Sequence, residues 1–319
     1  MSVTSSISAA LVAPALAGDG LSADQPRDLS RLRRHLAWLS FLAGSVIGLL
    51  LGVGVSAVLP VGDAATTVMA LGQLLGSVLG YAAMLAFEGR LARPFELLPR
   101  RALHGAWIGL VAGSVLLLVC VGMLALIGAR VFDGVNPHVP NLWPTVIQAG
   151  LVAGVSEEII FRGVLYRLAE RALGTWLSML LSGLIFGAAH LGNPEATWWG
   201  ALAIAIEAGL MFAVLYAISR NLVLMMGIHA AWNLMQGPVL GSVISGTSSE
   251  GSGLLRSHPA GPELLSGGTF GIEASLITVA LLSVVTVAGA LWLHRNGRVV
   301  APSWRRRVTL ERTIPTTAG

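Results

Sequence analysis

Long apolar stretches, separated by short polar segments, run through most of this chain. A helix that spans the hydrocarbon of a bilayer needs about 20 predominantly apolar residues, and eight stretches approach that length. The pattern predicts an all-α protein, a polytopic helical membrane bundle of about eight transmembrane helices. We place these helices at about 37–59, 66–87, 107–129, 143–165, 175–191, 197–218, 222–243 and 272–293.

Arginine residues alternate along the chain in step with these helices. Every second connection is rich in arginine, whereas the connections between them carry only Arg130 and Arg256. Cytoplasmic loops retain positive charge, so the arginine-rich connections and both termini are predicted to be cytoplasmic. The arginines of this set are Arg27, Arg31, Arg33, Arg34, Arg90, Arg93, Arg100, Arg101, Arg167, Arg171, Arg220, Arg295, Arg298, Arg305, Arg306 and Arg307.

The same pattern divides the chain into three parts. Residues 1–35 are predicted to be a disordered cytoplasmic tail, and residues 295–319 a basic cytoplasmic tail. The transmembrane bundle fills 36–294, with the chemistry concentrated at about 143–243. A Gly, Ser and Pro rich segment at about 245–271 is predicted to be a flexible extramembrane loop on the outer side.

The amino-acid composition agrees with a membrane protein and argues against a nucleic-acid partner. Of the 319 residues 55% are hydrophobic and 11% are charged, which is far from the composition of soluble domains. All twenty basic residues are arginine, a bias that we attribute to genome composition, so we predict no nucleic-acid partner. We expect an integral protein of a bacterial inner membrane, and nothing in the sequence fixes its oligomeric state. The one cysteine, Cys120, cannot form an intrachain disulfide.

Charged residues interrupt the predicted fourth helix at Glu157, Glu158 and Arg162. An ionised group in the middle of a spanning helix costs about 2.5 to 3.5 kcal/mol on the gentler insertion scales, so such groups face the protein interior. Glu158 and Arg162 are four residues apart with the acid first, the favourable order for an intrahelical ion pair. Glu157 projects about 100° away, and we predict that it faces a cavity as a candidate general base.

Two further helices carry isolated polar residues among apolar ones. The fifth contains Phe186 and His190, and the seventh contains His229 and Asn233. A lone histidine in a helical bundle is more often a structural hydrogen-bonding residue than a catalyst. His229 and Asn233 are one helical turn apart, however, so both can donate hydrogen bonds to one point, as an oxyanion requires. Glu207 of the sixth helix fits no such pattern. It could contact a substrate, pair with an arginine of the cytoplasmic side or form an interior hydrogen bond, and we favour the two structural roles.

These three motifs together resemble the CPBP family, the CAAX protease and bacteriocin-processing family, which is also called Abi. The resemblance covers about residues 143–243 and is similar to the type II CAAX prenyl endopeptidases. It implies an intramembrane endopeptidase that hydrolyses membrane-embedded or membrane-associated peptides, among them CAAX-like or prenylated ones. Glu157 with His190 would activate water, and His229 with Asn233 would stabilise the oxyanion. Glu158, Arg162 and Phe186 would support the site.

The historical family name of metalloprotease raises the question of a cofactor. Glu157, His190 and His229 could supply a carboxylate and two imidazoles to zinc. The sequence has no His-Glu-x-x-His motif, and Asn233 would be idle beside zinc but useful to an oxyanion. We therefore expect no required cofactor, with zinc as the alternative. From helix depth we also expect the cavity to open to the cytoplasm.

Two other functions are compatible with these residues. In a transporter, intramembrane acids and histidines form an ion or proton path, although the polar residues lie mainly in the second half of the chain and show no repeat symmetry. A noncatalytic membrane scaffold could keep the same residues for structure alone. A transporter would show coupled flux into proteoliposomes, and a scaffold would tolerate Glu157→Gln. A peptidase would lose nearly all turnover with the same substitution.

Overall fold

The computed structural model describes residues 11–18, 20–26, 29–59, 62–139, 142–247 and 253–306. Eight helices and two strands organise this part of the chain. The helices are α1 (Arg31–Ser56), α2 (Asp63–Phe87), α3 (Pro99–Leu126), α4 (Leu142–Gly192), α5 (Trp198–Ser219), α6 (Leu222–Leu234), α7 (Glu263–Ser266) and α8 (Leu276–Arg295). The strands are β1 (Arg130–Val135) and β2 (Leu255–Pro259). α6 continues directly into a π-helical turn, Met235–Val239.

Six helices in the described residues, α1 to α5 and α8, are long and apolar enough to cross a membrane. The sequence predicted about eight, and the difference has two causes. The predicted spans at 143–165 and 175–191 lie in the single 51-residue run α4, which bends at Gly174. The predicted span at 222–243 corresponds to α6 and its π-helical turn, where His229, Asn233 and Gln236 lower the hydropathy.

The bend in α4 depends on glycine. Gly174 has φ 75° and ψ 176°, a conformation that residues with a Cβ rarely adopt. A Cβ at this position would also lie 2.6 Å from the carbonyl oxygen of Val300. The segment after α8 packs here, because Thr175 N donates to Val300 O and Val300 N donates to Thr175 Oγ1.

Glycines also let helix backbones pack at very short range, as is common in membrane bundles. α1 and α2 meet along Gly44, Gly48 and Gly52 on one side and Gly72, Gly76 and Gly80 on the other. α3 packs along α6 in the same way, with Gly105 against Asn221, Gly109 against Leu224 and Gly113 against Ile228. Because the contacts rise together along both sequences, α3 and α6 run parallel.

The connections rich in arginine come together at one end of the bundle, as their alternation predicted. There, buried acids and guanidinium groups form a network of ion pairs. Arg220 binds Glu170 at 2.6 Å and Arg167 binds Glu88 at 2.9 Å, so α2, α4 and the turn after α5 are held together. We call this the ionic end.

The segment from Leu21 to Gln25 is buried against the ionic end, whereas the sequence predicted a disordered tail for residues 1–35. Asp24 is fully buried, accepts a hydrogen bond from the Tyr216 hydroxyl at 2.8 Å and lies 3.6 Å from Arg220. Burial opposes ionisation of Asp24, but the guanidinium groups of Arg220 and Arg167 more than offset it and lower its pKa. This difference arises because the pairing partners lie almost 200 residues away. Residues 1–10 of that prediction lie outside the described ones.

The opposite end carries a small antiparallel sheet, which the all-α prediction missed. β1 pairs with β2 with an irregularity between Phe132 and Gly134. Buried Arg130 donates to the Ser257 side chain at 2.7 Å, which ties the two strands to each other. The predicted loop at 245–271 is therefore folded over 253–271, and residues 248–252 lie outside the described part.

The packing of α1 on α2 gives a first prediction. A Cβ at Gly76 would lie 2.8 Å from Gly44 O and 2.9 Å from Gly48 Cα, whereas a Cβ at Gly54 would meet nothing within 4 Å. We expect Gly76→Ala to lower the free energy of unfolding by about 1 to 3 kcal/mol, because two backbones must separate. Thermal unfolding in detergent measures the effect. Gly54→Ala is the matched control, and equal midpoints for both variants would contradict the close packing.

Candidate active site

A large open cavity of about 940 Å³ lies at the end of the bundle opposite the ionic end. Its walls come from the start of α2, from both halves of α4, from α6 and from the segment 244–247 that follows it. All four predicted catalytic side chains line it, namely Glu157, His190, His229 and Asn233. We predicted a cavity that opens toward the arginine-rich, cytoplasmic side. The cavity and the arginine-rich connections lie at opposite ends of the bundle, so a cytoplasmic cavity and cytoplasmic arginine-rich connections cannot both hold.

The helices that carry these side chains are locally widened. π-helical stretches cover 146–153 and 159–166 in α4, 205–210 in α5 and 235–239 after α6. Such widened turns occur often at functional sites. Glu157 and Glu158 lie in the short α-helical segment Gly154–Glu158 between two of them. The angular separation expected for neighbouring residues of an α-helix therefore applies to this pair.

Glu158 is the centre of the buried charge in the site. Its Oε1 accepts a hydrogen bond from Arg162 Nη1 at 2.9 Å, the intrahelical pair that the spacing predicted. The same oxygen lies 2.8 Å from His229 Nδ1 on α6. The side chains of Glu158 and Arg162 are fully buried. Since a carboxylate oxygen that already binds a guanidinium is an acceptor, Nδ1 of His229 carries the proton.

Arg162 and the rings of Phe186 and Phe212 hold Glu158 and His229 in position. The Arg162 guanidinium lies over the rings of Phe186 at 4.7 Å and Phe212 at 5.0 Å, and it donates to the carbonyl oxygen of Ala208 at 3.0 Å. Phe212 also stacks on the His229 ring at 5.5 Å. Phe186, which was predicted to support the site, thus contacts it through Arg162. The position of Phe212 was not predicted, because an apolar residue on an apolar helix gives no sequence signal.

Glu157 faces the cavity, away from Glu158. Its side chain is 27% exposed, and Oε2 lies 3.9 Å from His229 Nε2. Within the described residues Oε2 has no hydrogen-bond partner. Oε2 itself is buried beside His229, and the exposed part of the side chain lies on the cavity wall, where a carboxylate can accept a proton from a water molecule.

His190 is oriented by its own helix. Its Nδ1 lies 2.8 Å from the carbonyl oxygen of Phe186, one turn earlier, so Nδ1 carries the proton in this contact. Nε2 then has a lone pair available to the cavity. His190 lies at the point where α4 ends in a short 3-10 turn, His190–Gly192, and it also contacts the Phe186 ring at 4.9 Å.

Asn233 lies one turn after His229 on α6. Its Nδ2 donates to the carbonyl oxygen of Ala149 at 2.9 Å, which holds the amide against α4. An asparagine amide has two N–H groups, so the second remains for a group in the cavity. The shared face predicted for His229 and Asn233 is present, because both residues line the same cavity.

The donor set gives no support to a metal centre. Within the described residues no group of three or more His, Cys, Asp or Glu side chains is arranged to hold a metal ion. His229 Nδ1 is engaged by Glu158 and His190 Nδ1 by a backbone carbonyl, so each imidazole could offer only Nε2. Glu157, His190 and His229 share a cavity wall without forming a ligand cluster.

A second, smaller pocket adjoins the site on its other side. It shares His190, His229, Asn233 and Ser245 with the large cavity and contains two acids, Glu207 and Glu273. Glu207 was predicted to be structural, and Glu273 was missed altogether. Both are buried. Glu273 lies in the 3-10 turn Ile272–Ala274 just before α8, where the sequence suggested only the start of a helix.

The shared oxygen of Glu158 leads to a second prediction. Arg162→Met removes the guanidinium but leaves a buried carboxylate with one partner fewer, a change that typically costs about 3 to 5 kcal/mol. We expect the midpoint of thermal unfolding in detergent to fall by about 10 °C. Arg93→Met, at an exposed arginine of the ionic end, is the control and should leave the midpoint unchanged. An Arg162→Met protein as stable as the wild type would show that the pair is not needed.

Comparison with known proteins agrees with this geometry. Residues 139–235 match the family model of type II CAAX prenyl endopeptidase Rce1-like proteins. Neither the comparison with curated proteins nor that with solved structures found a match. The matched segment covers about a third of the chain and contains all four side chains that converge on the large cavity. It indicates a protease that acts on a membrane-associated peptide substrate. Over residues 139–235 the chain is thus similar to the type II CAAX prenyl endopeptidases, which supports an assignment to the CPBP/CAAX protease family.

Proposed function

We propose that this protein is an intramembrane endopeptidase in which Glu157, His190, His229 and Asn233 hydrolyse a peptide bond within the large cavity. The observation that carries the proposal is the convergence of these four side chains, from both halves of α4 and from α6, on one open cavity. The six apolar helices place the cavity in a protein embedded in a membrane, so a peptide associated with the membrane can reach it.

Water activation is assigned to Glu157 and His190. A water molecule between them donates one hydrogen bond to the Glu157 carboxylate and another to Nε2 of His190. Glu157 takes the proton as the water oxygen attacks the carbonyl carbon of the scissile bond. When the carbon–nitrogen bond breaks, the same proton passes from Glu157 to the leaving amine. The Nδ1 contact with Phe186 O keeps the His190 lone pair on the cavity side.

Oxyanion stabilisation is assigned to His229 and Asn233. With Nδ1 donated to Glu158, His229 can donate from Nε2 only as an imidazolium. Its positive charge would then offset the charge that develops on the carbonyl oxygen. The second N–H of Asn233 donates to the same oxygen. Glu158 and Arg162 take no part in bond making in this scheme, but they set the orientation of the imidazole.

The proposed mechanism needs no resident metal. It uses a carboxylate, two imidazoles and an amide, and the Nδ1 contacts of both histidines give each ring a defined role without a metal. Zinc is the alternative that the test below separates, since a zinc enzyme would lose activity to a chelator and regain it with the metal.

We propose an eight-span topology with both termini in the cytoplasm of a bacterial cell. The two halves of α4 each cross the membrane, and α6 with its π-helical turn forms the seventh span. The gathering of arginine at the ionic end supports this orientation. The large cavity then opens at the non-cytoplasmic side, which replaces the cytoplasmic opening expected from helix depth.

Hydrolysis of a quenched peptide by purified protein is the main test. We expect Glu157→Gln to lower kcat by about 10²-fold or more, because the general base is lost, and Asn233→Ala to lower it by about 10²- to 10³-fold. The peptide is offered in a farnesylated CAAX form and in an acylated form without the CAAX sequence. Glu263→Gln, at an exposed acid outside both pockets, is the matched control.

Each variant is assayed with and without a chelator. Activity that needs Glu157 and survives chelation supports the proposed mechanism. Activity that chelation removes and zinc restores would replace it by metal catalysis. If Glu157→Gln and the wild type cut equally, the peptidase assignment of this site is wrong and a noncatalytic scaffold is favoured.

Cysteine labelling tests the topology. Thr247 and Thr66 line the cavity, and Arg93 lies at the ionic end. Because Cys120 is buried, single cysteines can be introduced without removing it. We expect a membrane-impermeant maleimide added outside intact cells to label Thr247→Cys but not Arg93→Cys. Labelling of Arg93→Cys alone would invert the proposed orientation.

A further inference from the structure

The smaller pocket beside the proposed catalytic residues has an unusual lining. It is narrow, with a cavity volume of about 30 Å³ between α4, α5, α6 and α8, and most of its wall is apolar. Two carboxyl groups lie in this wall, those of Glu207 and Glu273. The apolar members are Phe186, Ile204, Ala208, Met211, Phe212, Trp232 and Leu282. An apolar pocket with a few placed polar groups is the usual form of a ligand site.

The two carboxyl groups are bound in different ways. Glu273 is saturated, because its Oε1 accepts from Ser245 N at 3.1 Å and Ser245 Oγ at 3.0 Å and its Oε2 accepts from Gln236 Nε2. Glu207 is 1% exposed, and its buried Oε2 has no hydrogen-bond partner among the described residues. Such a group is costly in a protein interior unless something else completes it.

No positive charge in the described residues balances this pair. Neither Glu207 nor Glu273 takes part in an ion pair there, and the two are close enough for their charges to interact. Arg162, which donates to the backbone carbonyls of Ala208 and Gly209 beside Glu207 in the chain, is already paired with Glu158. Burial and the proximity of the two carboxyl groups oppose their ionisation. A cationic group that enters the pocket would favour the ionised form of Glu207 and would give its unsatisfied oxygen a partner.

The pocket lies next to the residues that would cleave the peptide. His190, His229 and Asn233 belong to its wall as well as to that of the large cavity. A peptide whose scissile bond lies at these residues can therefore extend a neighbouring side chain into the pocket. The ammonium group at the end of a lysine side chain is small enough for this space, and its charge complements the Glu207 carboxyl group.

We propose that this side pocket is a specificity site that binds the positively charged group of a substrate residue close to the scissile bond. The proposal rests on the proposed peptidase function. Glu207 is the residue that contacts the cation, and Glu273 adds negative charge while it holds the Ser245 wall. A charged group bound in a desolvated pocket contributes more to discrimination than one on the surface.

The test is a competition between peptides that differ at one position. Each carries a blocked N-terminus and either lysine or norleucine, scanned across the residues on both sides of the scissile bond. Norleucine keeps the alkyl chain without the charge. We expect the wild type to prefer lysine at one position by at least about tenfold in kcat/KM. A second series without lysine but with a free N-terminus shows whether an α-amine is the cation that binds.

Glu207→Gln keeps the shape of the side chain and removes its charge. We expect the ratio of lysine to norleucine to fall to about one in this variant, whatever its absolute rates. Glu273→Gln should lower the ratio in the same direction, and Glu263→Gln should leave it unchanged. Because the readout is a ratio, a partial loss of folded protein does not alter it.

Three results would overturn the proposal. They are a wild-type enzyme that cuts lysine and norleucine peptides equally at every position, a preference for norleucine, and a lysine preference that survives in both Glu207→Gln and Glu273→Gln. If Glu207→Gln does not fold, the wild-type competition and Glu273→Gln decide. An enzyme that cuts norleucine peptides in a Glu157-dependent way without preferring lysine loses the specificity site but keeps the proposed function.

Discussion

The hydrogen bonds at one oxygen, Oε1 of Glu158, are the constraint on which the site depends. A charge in a membrane interior must be paired, and this oxygen accepts from both Arg162 and His229. The first contact lies within α4 and the second joins α4 to α6. The pairing that makes the buried charge tolerable therefore also fixes the tautomer of His229 and the direction of its second nitrogen.

The buried ion pairs that stabilise the bundle lie at one end, and the cavity with the proposed catalytic side chains lies at the other. At the ionic end, acids and guanidinium groups are closely paired and the N-terminal segment is buried among them. At the other end the helices diverge around a cavity, and several polar atoms, including Glu157 Oε2 and Glu207 Oε2, lack partners within the described residues. Uncommitted buried polar atoms destabilise a fold. The two on Glu157 and Glu207 lie beside adjoining pockets that share His190, His229 and Asn233, which is a physical reason to place the chemistry there.

Sequence reasoning was most successful where one residue type carried the signal. The lengths of the apolar stretches predicted the helices, and the four-residue spacing predicted the Glu158–Arg162 ion pair. The three motifs indicated the family whose model matches residues 139–235. It missed contacts between distant residues. The Glu158–His229 hydrogen bond joins residues 71 apart in the chain. The position of Glu273 likewise depends on hydrogen bonds from Gln236 and Ser245, which lie far from it in the sequence. The count of long apolar helices differed because a bend at one glycine leaves two predicted spans in one helical run.

The N-terminal segment has a consequence for how the protein is made. Ala13 N donates to Ile218 O, Arg298 donates to Ala13 O, and Asp24 binds Tyr216 and Arg220. The segment that contains Ala13 and Asp24 therefore meets Tyr216, Ile218 and Arg220 only after α5 has been synthesised, and Arg298 only after α8. Assembly of the ionic end is thus not strictly vectorial, since this segment can complete its contacts only when elements from much later in the chain are present.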